Sequence, residues 1–245
     1  MKNIKIVVEY DGTRYHGWQR QRGHRSIQQT LEEKIKLITR EEVTVIGSGR
    51  TDSGVHAFNQ VANFQMTARI REENLLRALN GVLPDDIVIK RVEEMAKSFH
   101  ARFSVKSKKY VYHIWNNTTN TAINRYYCWH VRKELNLECM KKAACFIKGT
   151  HDFKAFCGTG SKVKNYTRTI LDVELDRDDR GKLLITITAD GFLRHMVRNI
   201  VGTLVEVGKG KITPEDLKVI LDSRDRRKAG MTAPAHGLFL AEVHY

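Results

Sequence analysis

No apolar stretch in this sequence approaches the roughly 20 residues that a membrane-spanning helix needs. The run Ile6-Val7-Val8 is broken at once by Glu9, and no apolar core of a signal peptide is visible. Cysteine is sparse and scattered: Cys128, Cys139, Cys145 and Cys157 form no C-x-x-C pair, so neither a zinc centre nor a redox dithiol is indicated. With no export signal, the chain is expected in a reducing cytoplasm with its thiols free. Cys139 and Cys145, in a helical stretch, are expected as small core residues. Glycine-rich phosphate cradles are also missing, since neither GxGxxG nor a Walker motif occurs.

Acidic residues are scarce relative to basic ones, with 28 Asp and Glu against 42 Lys and Arg, a formal charge of +14 and a pI near 9.7. Such an excess attracts polyanions, and nucleic acid is the usual partner by the counterion-release argument. With 41% hydrophobic and 29% charged residues the balance is that of a globular protein, and 245 residues suffice for one large domain or two small ones.

Periodicity predicts strands over 3–10, 43–49, 57–66 and 86–92, and helices over 26–39 and 72–80. Ile27, Leu31, Ile35 and Ile38 share one face of the first helix, and Ser26 with Gln29 has the form of a capping box. Gly81 and Pro84 are expected to end the second. The order then repeats: strand 108–116, helix 134–148, strands 168–176 and 182–190, helix 191–208, and a last strand near 237–244. Thr213-Pro214-Glu215 starts one further short helix. Both halves spell βαββαβ, the ferredoxin-like order of the α+β class. The expectation is two tandem ferredoxin-like halves, 1–105 and 106–245, with antiparallel sheets side by side and the functional cleft between them. Segment 11–25 is rich in Gly, Arg and Gln and reads as an exposed loop.

The segment Gly49-Arg50-Thr51-Asp52-Ser53-Gly54-Val55-His56-Ala57 surrounds one carboxylate with residues that turn tightly. An Asp there can cap a turn or do chemistry, and the wider pattern favours chemistry. The string matches G-R-T-D-x-G-V-H-A, and companions follow in order: Tyr10-Asp11-Gly12 with Tyr15, Gly17, Trp18 and Gln19, then Phe99-His100-Ala101-Arg102-Phe103-Ser104, Tyr110-Val111-Tyr112 and His151-Asp152-Phe153. The last block runs from Phe192 to Gly202, FLRHMVRNIVG. Together they resemble the A family of tRNA pseudouridine synthases over nearly the whole chain. The resemblance implies conversion of uridine to pseudouridine at positions 38 to 40 of the tRNA anticodon arm, by a homodimer that uses no metal or cofactor. It implies Asp52 as nucleophile, Tyr110 against the target base, Arg198 paired with Asp52, and Arg50 holding a flipped-out backbone.

The residue types suit that chemistry. An ionised carboxylate can be a nucleophile or a base, and a neighbouring arginine favours its charged form. Attack on the sugar, attack on the base and removal of a ribose proton are all open to it. Tyr110 shares a strand face with Tyr112 and Ile114, and the adjacent Lys108 and Lys109 suggest a wet, basic setting in which a ring can stack on a base. Arg194 and Arg198 stand one turn apart on an otherwise apolar helix, where buried arginines are expected to be paired. His195 reads as a surface residue. Arg14, Arg20, Arg22 and Arg25, mixed with Tyr15, His16 and Trp18, have the composition of an RNA-contacting loop.

Two other readings compete. The triplet Asp52-Ser53-Gly54 also occurs in aspartic proteases, but no second D-[ST]-G supplies the partner carboxylate. A basic scaffold of two RRM-like folds would need the aromatic RNP1 pattern, which is missing.

Overall fold

The computed structural model describes residues 1–161, 163–179 and 181–245. In chain order the first elements are β1 (Lys2–Tyr10), α1 (Ile27–Thr39), β2 (Ile46–Gly47), β3 (His56–Met66), α2 (Glu72–Val82), β4 (Ile87–Met95) and β5 (Ser107–Asn116). They continue as β6 (Trp129–Val131), α3 (Leu137–Cys145), β7 (Gly149–Asp152), β8 (Thr167–Arg177) and β9 (Lys182–Ala189). Last come α4 (Met196–Gly208), α5 (Pro214–Ser223) and β10 (Leu238–His244). The class is α+β. Internal contacts divide the chain into two units, Met1–Lys106 with Phe239–Tyr245, and Ser107–Leu238. The last strand therefore departs from a second half running to 245, because Phe239 and Leu240 pair in parallel with His56 and Ala57 of β3.

In the first unit β1 alternates, burying Ile4, Ile6, Val8 and Tyr10 on one face. It lies between β3 and β4, antiparallel to both. Helix α1 buries Ile27, Leu31 and Ile35, and α2 buries Leu75 and Leu79. Ser26 caps α1 by accepting the Gln29 amide, but the Gln29 side chain donates to Glu33 at 2.8 Å, so the reciprocal half of the expected box is replaced. Gly81 lies inside α2, which runs to Val82; Leu83 turns extended ahead of Pro84 and ends it. The strand expected over 43–49 shrinks to Ile46–Gly47, because the Val45 amide is taken by the buried Glu32 carboxylate at 3.0 Å. A buried amide network fixes the segment after β4. Asn63 donates to Asn3 and accepts the Ala101 amide, while Asn3 donates to the carbonyls of Ala96 and Phe99.

In the second unit β5, β9, β8 and β7 are antiparallel neighbours in that order, and the short β6 runs parallel to β5. Tyr110, Tyr112 and Ile114 are buried together on one face of β5. Helix α4 is buried along most of its length and starts at Met196, five residues later than expected. The delay has a local cause: His195 is left-handed at φ 59°, and the Arg194 carbonyl is committed to the Gly158 amide at 2.7 Å. Arg194 is thus exposed and off the helix, donating to the Thr159 carbonyl, and is not the buried helical arginine that the apolar pattern suggested. The cysteines also differ from expectation. Cys145 is exposed and Cys139 half-buried, while Cys128 and Cys157 are the buried pair, because α3 turns Met140, Ala143 and Ala144 inward instead. Helix α5 carries a full capping box of Thr213 and Asp216, with proline in its first turn. Among the described residues no helix is long and apolar enough to cross a membrane.

Candidate active site

Asp52 sits half-buried in a tight turn just before β3. Its carbonyl accepts the Val55 amide at 3.1 Å, and Gly54 at the third position has φ 75°. Ser53 keeps a negative φ, so the turn is of type II, which demands glycine or asparagine at that place. The residues around the carboxylate are held one by one. The Thr51 hydroxyl meets the Tyr10 phenol at 2.8 Å, and the Thr51 carbonyl accepts the Trp18 amide at 3.1 Å. The Ser53 hydroxyl and the Gly54 amide both donate to the Tyr15 carbonyl.

The clamp on this turn is the segment 10–18, so the expectation of an exposed loop holds for its tip, 20–25, where every residue is exposed, and for Thr13, Arg14 and His16, but not for the buried residues between them. Tyr15 and Trp18 are 1% and 2% exposed and act as packing, not as RNA contacts. The Tyr15 phenol donates to Asp86 at 2.5 Å, and its burial and that carboxylate push its pKa upward. The Trp18 ring lies so close to Gly47 that a Cβ there would come within 2.5 Å of it. Gly17, at φ 82°, would place a Cβ 2.4 Å from the Thr51 carbonyl oxygen. Gly12 would place one 2.0 Å from the Val55 oxygen. Its amide donates to Nδ1 of the buried His56 at 3.1 Å, with Asp11 Oδ1 3.0 Å from the same nitrogen. Three of the four arginines of the loop are engaged locally. Arg20 pairs with Glu32, Arg25 lies 4.8 Å over the Tyr15 ring, and Arg14 is 3.7 Å from Asp86. Arg50 is exposed, and its Nε donates to Gln19 Oε1 at 2.9 Å.

In the second unit Tyr110 is 7% exposed and meets Phe192 edge-on at 5.0 Å. Arg198, half-buried in the first turn of α4, donates from Nε to the Ala233 carbonyl at 2.7 Å. Burial lowers the pKa of His236, and the nearby Arg198 charge lowers it further. Sequence reasoning gave no role to His236, Asn199 or Arg226. For the last, a cation one turn past α5 in the basic run Arg224-Asp225-Arg226-Arg227-Lys228 offers no signal by itself. Among the described residues no cluster of His, Cys, Asp and Glu could hold a metal ion.

Residues 6–104 and 143–245 match the protein family described as tRNA pseudouridine synthase. The chain is 49% identical to tRNA pseudouridine synthase A of Acetivibrio thermocellus and 50% identical to the protein of that name from Thermoanaerobacter sp. strain X514. It is 50% identical to tRNA pseudouridine synthase A 2 of Clostridium perfringens. Each comparison spans 245 residues and covers 100% of both chains. This chain belongs to the tRNA pseudouridine synthase family, and the aspartic-protease and RRM-scaffold readings fall away.

Proposed function

We propose that this protein isomerises uridine to pseudouridine at positions 38 to 40 of the tRNA anticodon arm, with Asp52 as nucleophile and no metal or cofactor. The observation that carries the reading is the Asp52 turn, in which the residues on both sides of one half-exposed carboxylate are held by separate hydrogen bonds. A plain surface turn needs no such clamp, whereas a nucleophile gains from a fixed aim. The reaction breaks the bond from ribose C1′ to N1, turns the uracil, and joins C1′ to C5; C5 gives up its hydrogen as a proton and N1 takes one up, so that the product is an isomer. The base is held while detached, and Tyr110, Arg198 and Arg50 are proposed as the residues that hold the target nucleotide. A uridine in a stem must first leave its stack, at a cost of a few kcal/mol. The order β1-α1-β2-β3-α2-β4, followed by β5-α3-β8-β9-α4, supports a tandem ferredoxin-like reading. The proposal includes a homodimer working in the cytoplasm.

Asp52→Asn is the test. Asparagine keeps the shape and the acceptor oxygen that suit the turn, and lacks the anionic oxygen. The variant is expected to hold its melting temperature, and its tRNA affinity to within about tenfold of wild type. Tritium release from C5-labelled uridine in tRNA is expected to vanish. Release near the wild-type rate would make Asp52 a turn residue only.

A further inference from the structure

Helix α4 and the segment 226–233 approach each other so closely that side chains are shut out. A Cβ on Gly202 would lie 1.7 Å from the Met231 carbonyl oxygen, and one on Gly230 would lie 2.8 Å from Thr203 Cα. The Gly230 amide donates to the Thr203 hydroxyl at 2.9 Å. Ala233 is bonded twice to Arg198: its carbonyl accepts from Arg198 Nε at 2.7 Å, and its amide donates to the Arg198 carbonyl at 3.1 Å. The guanidinium of Arg198 is therefore aimed by a carbonyl belonging to this strap.

Arg226 holds the strap in place. Its Nη1 donates to the Ala229 carbonyl at 3.2 Å, and its Nη2 donates to Asn199 Oδ1 at 2.9 Å and to Thr232 Oγ1 at 3.0 Å. The Thr232 hydroxyl donates in turn to Asn199 Oδ1 at 2.6 Å, and Asn199 Nδ2 is spent on the Phe156 carbonyl at 2.7 Å. Every acceptor of Arg226 is neutral, and among the described residues no carboxylate faces it. Holding a half-buried cation without a counter-ion is costly. What it achieves is geometric, because the planar fork ties Ala229, Thr232 and Asn199 at once, which a lysine point charge does not do.

We propose that Arg226 is a positioning residue for the reaction: by locking the strap to Asn199 of α4, it sets the Ala233 carbonyl that aims Arg198. The proposal rests on the reading of Arg198 as a residue that holds the target nucleotide. The test measures single-turnover pseudouridine formation by the full chain at saturating enzyme, together with tRNA affinity and melting temperature, for Arg226→Gln and Arg226→Lys. Misplacing a working group by about 1 Å costs about 10²-fold in rate. Arg226→Gln is expected to slow the saturated step by that order while tRNA affinity stays within about threefold. Arg226→Lys is expected to remain at least about tenfold slow although the charge is restored. A purely structural arginine would lower the melting temperature and leave the saturated rate alone, which overturns the proposal. A defect confined to tRNA affinity, or full rescue by lysine, overturns it as well. Should Arg226→Gln fail to fold, Thr232→Val removes one hydroxyl from the same network, and a wild-type rate in that variant is equally fatal. Arg198→Met is measured beside them. Wild-type turnover there sinks the reading of Arg198, whereas a slow Arg198→Met beside a normal Arg226→Gln sinks the strap alone.

Discussion

Replacing Gly17 by alanine should cripple turnover out of proportion to the stability lost. Two costs arise. The first is backbone strain, since φ is 82° and an L-residue in the left-handed region costs about 1–2 kcal/mol. For a chain of this length that is a fall of about 2–8 °C in melting temperature. The second is a clash, because the new Cβ would stand 2.4 Å from the Thr51 oxygen and 2.9 Å from the Asp52 carbonyl carbon. Relief needs about 1 Å of movement, enough to cost about 10²-fold in rate when it reaches a reacting group. Gly17 itself cannot retreat easily, since its carbonyl and that of Trp18 accept the Ile27 and Gln28 amides at the start of α1. The turn that carries Asp52 must therefore give way. Gly23 supplies the control: it has φ 78° and nothing within 4 Å of its added Cβ, so Gly23→Ala carries the strain without the clash. Tritium release at saturating enzyme should drop about 10²-fold in Gly17→Ala and stay near wild type in Gly23→Ala, with Gly17→Ala melting somewhat lower because it carries the clash as well as the strain. Equal rates in the two variants would refute the idea that segment 10–18 aims Asp52.

With a net charge of +14, tRNA affinity should fall steeply between low and moderate salt, and a near-flat dependence in filter binding would count against phosphate neutralisation. His236 should titrate below an ordinary histidine by NMR because it is buried near Arg198, and its midpoint should rise in Arg198→Met. Its depressed folded pKa also means that stability is complete above about pH 6.5 and declines as pH falls further, a slope that His236→Gln should reduce. Under native conditions Cys145 should be alkylated first and Cys139 more slowly, with Cys128 and Cys157 protected; early labelling of Cys157 would contradict the packing of the second unit.

What was legible in the sequence was mostly periodic or local. The alternation of Ile4, Ile6 and Val8 marks β1, and the spacing of Ile27, Leu31 and Ile35 marks α1, because each pattern repeats within one element. The turn at Asp52 was legible through its neighbours, since a type II turn writes its demand for Gly54 into the string itself. The supports of that turn were not. Tyr15 and Trp18 stand among arginines and glycines, and their burial comes from a segment some thirty residues onward, which no local window contains. The start of α4 was missed because an apolar pattern continues through Phe192 and Leu193, while the left-handed His195 and the Gly158 bond to Arg194 are tertiary facts. Arg226 was invisible for a similar reason: its meaning lies in three acceptor oxygens, from Asn199, Ala229 and Thr232, that sequence pattern does not rank.

The return of β10 to the first unit has a consequence for how the protein is made. Strands β1, β3 and β4 leave the ribosome early, but Asn59 finds the carbonyl of Ala241, 182 residues further along, only when that stretch has been translated. At about 5–20 residues per second the wait is about 10–40 s. Through that interval the β3 edge from His56 to Asn59, directly beside the Asp52 turn, has no β10 to pair with, and an open edge is where a growing chain is exposed to wrong partners. The unit synthesised first is thus among the last parts to be completed.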